Sequence, residues 1–273
     1  MSTFGNPAGN FVAAVQMVST PDVTENIATA RRLVGQAAAN GAGLVVLPEY
    51  WPIMGMADTD KVAVAEQLGS GIIQDTMAEL ARTHGVWLFG GTLPLVSGEA
   101  GKVLNTTLVF DPAGAQVSRY DKIHLFGFAN DSESYDEART IVPGRHVCTV
   151  ETGAGKVGMA ICYDLRFPEL FRAMGPVDLI VVPAAFTYTT GAAHWDTLLR
   201  ARAIENQCYV LAAAQGGTHV NGRRTWGHSQ LIDPWGEVRA IVEEGEGIAG
   251  GLVDRELIDS VRRKLPALQH RTM

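Results

Sequence analysis

The hydrophobic positions of this chain fall into short apolar runs separated by amphipathic stretches. Phe11 to Met17 is an apolar run too short for a solitary helix and suited to a buried strand. After it, Ile27, Ala30, Val34 and Ala37 repeat at helical period, and Asp22 with Glu25 three residues on has capping-box spacing. Gly41 and Gly43 end that helix, and Leu44 to Leu47 supplies a second buried strand that runs into Pro48-Glu49. Ile72 to Thr83 reads as another helix, and Val86 to Phe89 as the next strand. Strand–helix–strand–helix–strand order implies crossover connections and an α/β fold.

A hairpin follows, with Val103 to Phe110 and Gln116 to Tyr120 as strands around the turn Asp111-Pro112-Ala113-Gly114. The second half repeats the plan. Lys156 to Ile161 is a strand ending at Cys162, and a short helix begins near Pro168. The strand Asp178 to Val182 precedes a helix from about Ala193 to Asn206, and Tyr209 to Ala214 and His228 to Ile232 are strands. Asp233-Pro234-Trp235-Gly236 then repeats the earlier turn. Two α/β halves, each closing on such a hairpin, predict two similar sheets packed face to face with helices outside. No linker or low-complexity stretch divides them, so one domain over residues 1–273 is expected.

Composition narrows the function classes. Lys+Arg 22 against Asp+Glu 29 gives a net charge of −7, which argues against a general nucleic-acid binder. It leaves room for a local cationic pocket. Neither a signal peptide nor a membrane-spanning apolar stretch is read, so a soluble cytoplasmic protein is expected. Cys148, Cys162 and Cys208 form no CxxC pair and lack zinc-ligand spacing, so no disulfide framework and no metal are expected.

Cys162 stands where a buried strand gives way to a helix, at the sheet edge where open α/β folds bind ligands. Helix dipoles there would favour a thiolate; an inert buried cysteine is the alternative, and it is the one that fits Cys148 and Cys208. Glu49, at the mouth of its strand, is either a structural carboxylate or a general base. Lys122 reads locally as a solvated lysine or, if buried, as an oxyanion stabiliser. Glu137 reads locally as part of an acidic loop.

Taken together, Leu47-Pro48-Glu49, Asp121-Lys122-Ile123-His124-Leu125 and Ile161-Cys162-Tyr163-Asp164-Leu165-Arg166-Phe167-Pro168-Glu169 resemble the nitrilase superfamily of carbon–nitrogen hydrolases, from the first strand to Gln269-His270-Arg271. The resemblance implies an α/β four-layer αββα sandwich and a catalytic triad matched by Glu49, Lys122 and Cys162. A second glutamate is matched by Glu137, in the segment before Pro143-Gly144, in preference to Glu133. Cys162 would be nucleophile and Glu49 base, with Lys122 and the Tyr163 N–H on the oxyanion and a thioester intermediate. No cofactor is implied. The partners expected are a small-molecule amide and further copies of the chain, as a homodimer or homotetramer, with neither nucleic acid nor membrane.

The run Cys162-Tyr163-Asp164-Leu165-Arg166-Phe167-Pro168-Glu169, the segment from Ala193 to Val210 and Trp226-Gly227-His228-Ser229 resemble the branch that holds deaminated-glutathione amidase and omega-amidase. Leu-Arg-Phe-Pro-Glu and Ala212 to Gln215 favour the former. Substrates of both carry an anionic 2-oxo-acid end, for which Arg166, His194, Arg200, Arg202, Arg223 and Arg224 are available cationic partners. A structural role is the alternative for each, ion pairs on the helix surface for Arg200 and Arg202 and bracing of the loop after Cys162 for Arg166. Phe186 and Trp195 are candidate pocket walls, with core packing the alternative for either, and Phe126 to Glu133 departs from the branch pattern and is expected to line the pocket. A non-catalytic scaffold, an N-acyltransferase and cysteine chemistry with His124 or His194 as base are the competing classes.

Overall fold

The computed structural model describes residues 10–131 and 134–272. Two sheets form its centre. The first runs in the order Gly247–Leu252, Phe11–Gln16, Leu44–Val46, Trp87–Phe89, Val103–Phe110 and Leu93–Val96, with Gln116–Asp121 also paired to Val103–Phe110. The second runs Val238–Val242, Ser229–Ile232, Tyr209–Ala214, Leu179–Ala184, Gly155–Met159 and Thr149–Thr152. Three adjacent strands in each are parallel, and the flanking pairs are antiparallel.

Side-chain alternation sets the layers, because successive residues of a strand face opposite sides. Val12, Ala14, Leu44 and Val46 join one apolar cluster with Val157, Met159, Ile180 and Leu211 of the second sheet. Their neighbours Ala13, Val15, Val45 and Leu47 join another, with Leu33 and Val34 of helix Val23–Ala39 and Met77 and Leu80 of helix Ile72–His84. The sheets therefore pack on each other and the helices cover their outer faces, the αββα sandwich expected. Each Val or Leu buried this way contributes about 1.5–3 kcal/mol. Strands with both faces covered read as continuous apolar runs, which is why alternation is absent from them.

Most element boundaries agree with the pattern. Asp22 caps the first helix, its carboxylate accepting from the Thr24 and Glu25 N–H groups at 2.7 and 3.1 Å. The reciprocal half of the box does not form, because Glu25 accepts from the Thr20 hydroxyl instead. Gly85 ends the second helix with a φ of 62°, in the left-handed region open to glycine. The two repeated turns close alike, Gly114 and Gly236 donating to the Asp111 and Asp233 carbonyls. Helix Tyr188–Asn206 starts five residues before the predicted position because Thr187 supplies its cap. Among the described residues, no helix is long and apolar enough to cross a membrane.

Candidate active site

The expected quartet converges at the carboxyl ends of the parallel strands. Glu49 lies three residues beyond Leu44–Val46, Lys122 just after Gln116–Asp121, and Cys162 three residues beyond Gly155–Met159. Glu137 arrives on a 3-10 turn, Glu137–Arg139.

Lys122 is fully buried, and its ammonium has three carboxylate contacts. It donates to Glu49 Oε1 at 2.9 Å and to both Glu137 oxygens at 2.9 and 2.8 Å. Burial alone would lower its pKa, but the Glu137 and Glu49 charges outweigh burial and move it upward. It is an ammonium. Burial pushes Glu137 up, but Lys122, the Phe126 N–H and the Tyr50 hydroxyl together outweigh it, so its pKa lies below the ordinary value. It also accepts from the Tyr50 hydroxyl at 2.7 Å and the Phe126 N–H at 2.7 Å.

Glu49 is held on every side. Oε1 takes the Asn105 amide as well as Lys122, Oε2 takes the Ala185 N–H at 2.9 Å, and its backbone carbonyl accepts from Gln215 Nε2 at 3.0 Å. Gln215 comes from the second sheet, so this bond ties Glu49 to the half of the fold that carries Cys162. The Ala212-to-Gln215 motif thus has a structural role.

Cys162 opens a 3-10 turn, Cys162–Arg166, with a φ of 49°. Left-handed backbone costs a non-glycine residue about 1–2 kcal/mol. Asp164 offsets that strain, and sequence reasoning passed over it. Its fully buried carboxylate accepts from the Ile161 N–H at 2.9 Å, the Tyr120 hydroxyl at 2.7 Å, and the His124 N–H and Nδ1 at 3.0 and 2.7 Å. One carboxylate therefore fixes the cysteine turn and the segment that carries Lys122. Arg202 braces the same turn from below, donating twice to the Leu165 carbonyl.

The expected thiolate is corrected by this environment. Burial, then the Glu49 charge, push the Cys162 thiol well above its usual pKa, and Lys122 only partly opposes them. Two carboxylates share one ammonium here, so a third negative charge is disfavoured, and a five-residue turn has little dipole to compensate. The resting group is a thiol with a carboxylate beside it.

The pocket over Cys162 is walled by Glu49, Glu137, Phe126, Tyr163, Phe186 and Arg223, among others. Tyr163 and Phe186 therefore both line this pocket. Arg166 lies over both rings, 5.7 and 5.4 Å from their centroids, with the His194 ring nitrogen 3.3 Å from its guanidinium. Trp195 is not brought to the pocket: it is fully buried behind Phe186 and donates to the His228 carbonyl. Arg200 donates to the Gly236 carbonyl and Arg224 stacks on Tyr188, which leaves Arg166 and Arg223 as the arginines nearest the pocket. Phe126 lines the site as expected of its segment; Glu133 lies outside the described residues. His124 faces Asp164 and stacks on Phe167. Asn105 and Tyr50, which hold Glu49 and Glu137, were also passed over. Among the described residues, no cluster of His, Cys, Asp and Glu could hold a metal ion.

Comparison with known proteins gives the family. The profile of the carbon–nitrogen hydrolase family matches residues 11–263. A deaminated glutathione amidase from Synechocystis is 41% identical over 265 residues, 95% of this chain and 97% of that protein. The human deaminated glutathione amidase is 39% identical over 267 residues, covering 95% of this chain and 81% of that one. The crystal structure of Saccharomyces cerevisiae Nit3, a member of branch 10 of the nitrilase superfamily, superposes with a TM-score of 0.85 at 30% identity, over 97% of each chain. With fold, matched length and residue geometry in agreement, the chain belongs to the carbon–nitrogen hydrolases of the nitrilase superfamily, hydrolases of C–N bonds other than peptide bonds.

Proposed function

We propose that this chain is an amidase that hydrolyses deaminated glutathione to 2-oxoglutarate and cysteinylglycine, with Cys162, Glu49 and Lys122 as its catalytic residues. The observation that carries the reading is the buried Glu49–Lys122–Glu137 cluster against Cys162, in a chain whose relatives of that activity align over 95% of it.

An amide carbonyl is a poor electrophile, so attack needs a strong nucleophile and charge support for the oxyanion. Glu49 takes the Cys162 proton as the S–C bond forms. The Lys122 ammonium and the Tyr163 N–H, among the unpaired donors at the start of a helical turn, stabilise the oxyanion. Collapse breaks the C–N bond, and Glu49 gives its proton to the departing amine. The acyl group is then a Cys162 thioester. Water attacks it, Glu49 takes the water proton, and the thiol is restored as the acid leaves. Glu137, gripping Lys122 with both oxygens, positions the ammonium. The high thiol pKa supports this order, since a protonated nucleophile needs a base within reach.

Arg166 with His194, over Tyr163 and Phe186, suits the 2-oxo-acid end of the substrate. The reading includes a homodimer or homotetramer and a reducing, cytoplasmic setting, in which Cys162, one of three free cysteines, stays a thiol. The test is kcat/KM on deaminated glutathione, 2-oxoglutaramate, a simple aliphatic amide and a nitrile. Deaminated glutathione is expected to be the best substrate. A higher value on 2-oxoglutaramate would reassign the chain as an omega-amidase, and comparable nitrile turnover would overturn the reading.

A further inference from the structure

Beyond the pocket over Cys162 lies a second, more open cavity. Arg223 lines both, and also a third space lined by Tyr50, Asp58, Lys61, Phe126, Asp136 and Glu137. The three adjoin through shared walls: Phe126 and Glu137 line both the pocket over Cys162 and the third space, and Tyr50 and Lys61 line both that space and the open cavity. The reaction steps derived above use neither Lys61 nor Arg223.

Asp58 and Asp136 line the third space too, and the Asp58 and Glu137 charges act on Lys61, but among the described residues neither cation has a carboxylate in contact. Lys61, on the short helix Asp60–Ala63, makes one long hydrogen bond, 3.3 Å to the Thr140 hydroxyl, and stands 5.3 Å from the Tyr50 ring centroid. Arg223 donates through Nη2 to the Ala185 carbonyl at 2.9 Å and lies over the Tyr135 ring. Its Nε is buried with no hydrogen-bond partner. Among the described residues, neither cation forms an ion pair with a carboxylate. Burial lowers the Lys61 pKa, and the Asp58 and Glu137 charges only partly oppose it. A buried donor such as Arg223 Nε is normally satisfied, so this orphan, with the half-buried Lys61 lining the same cavity, points to an anion that arrives with the ligand.

The proposed substrate has such an anion. Its leaving group is a dipeptide, and an extended dipeptide reaches about 7 Å beyond the scissile carbon. That length needs space past the pocket over Cys162. We propose that Lys61 and Arg223 bind the terminal carboxylate of the leaving group, so that the chain selects amides whose amine half carries a second anionic end. Arg166 and His194 would then serve the acyl end and Lys61 and Arg223 the amine end. The inference rests on the amidase reading of the site.

The test compares deaminated glutathione with its C-terminal carboxamide, which removes only the terminal charge. The wild-type enzyme is expected to show a KM at least about tenfold lower for the carboxylate form, the effect of one charge-assisted hydrogen bond. Lys61→Met is expected to collapse that ratio towards one, and Lys61→Arg to retain most of it. Equal KM values in the wild type, or an unchanged ratio in Lys61→Met, would overturn the assignment while leaving the amidase reading intact. Failure of the wild type to cleave either form would instead remove the reading on which it rests. Because the wild-type comparison needs no variant, a misfolded mutant does not block the test.

Discussion

Asp164→Asn probes the architecture of the site without touching the proposed reacting groups, and its effect can be worked out atom by atom. The substitution keeps size and shape but turns one acceptor oxygen into a donor NH2. In the wild type, Oδ2 receives the Ile161 N–H and the Tyr120 hydroxyl, and Oδ1 receives the His124 N–H and Nδ1. The tyrosine hydroxyl can rotate and the histidine can change tautomer, so each can accept from an amide. The two backbone N–H groups cannot. Whichever way the Asn turns, one fixed donor faces its NH2. One charge-assisted hydrogen bond is lost and a buried donor is stranded, which together cost about 2–4 kcal/mol. Against a total stability of about 5–15 kcal/mol the protein should still fold, with a clearly lowered urea midpoint. Because the same carboxylate holds the Cys162 turn and the Lys122 segment, kcat should fall in the folded variant as well. The assay is urea unfolding followed by fluorescence, with kcat measured well below the transition. A loss under about 1 kcal/mol with unchanged kcat would refute the claim that Asp164 clamps the two segments together.

Two further expectations concern the thiol and the loop beside Lys122. Ultraviolet titration should show no Cys162-dependent thiolate through neutral pH, because burial and Glu49 hold the thiol up; a Cys162-dependent signal titrating at or below about pH 7 would contradict this. Gly144→Ala would place a Cβ 2.1 Å from the Asp121 carbonyl oxygen, so it should cost about 1–3 kcal/mol by thermal unfolding and lower kcat by displacing Lys122, and wild-type values of both would contradict that.

The Gly144 contact also shows what a sequence can convey. Pro143-Gly144 marked the segment of the second glutamate, yet the physical need for glycine, backbone pressed against the residue before Lys122, appears only once the chain is folded. The central strands were legible because both their faces are buried, which makes them continuous apolar runs. The strand Gly247–Leu252 was not, because its sequence GIAGGL has few side chains to carry a pattern; it is placed by six paired positions against Phe11–Gln16. Glu49, Lys122 and Cys162 each had an ordinary local explanation, and only their order along the chain pointed to a common site. Asp164, Asn105 and Tyr50 were silent because their partners lie 40, 56 and 87 residues away in sequence. Trp195 left two readings open, pocket wall or core packing, and helical spacing turns it into the core while His194 reaches Arg166.

The central claim is that Cys162 carries the acyl group and that Glu49 moves the protons. Rapid-quench mass spectrometry of the Cys162 peptide during turnover of deaminated glutathione tests it most directly. The wild type should show a transient 2-oxoglutaryl thioester on Cys162, Cys162→Ala should show no adduct and no turnover, and Glu49→Gln should hold any thioester it forms far longer than the wild type. Turnover by Cys162→Ala, or deacylation in Glu49→Gln as fast as in the wild type, would contradict the account.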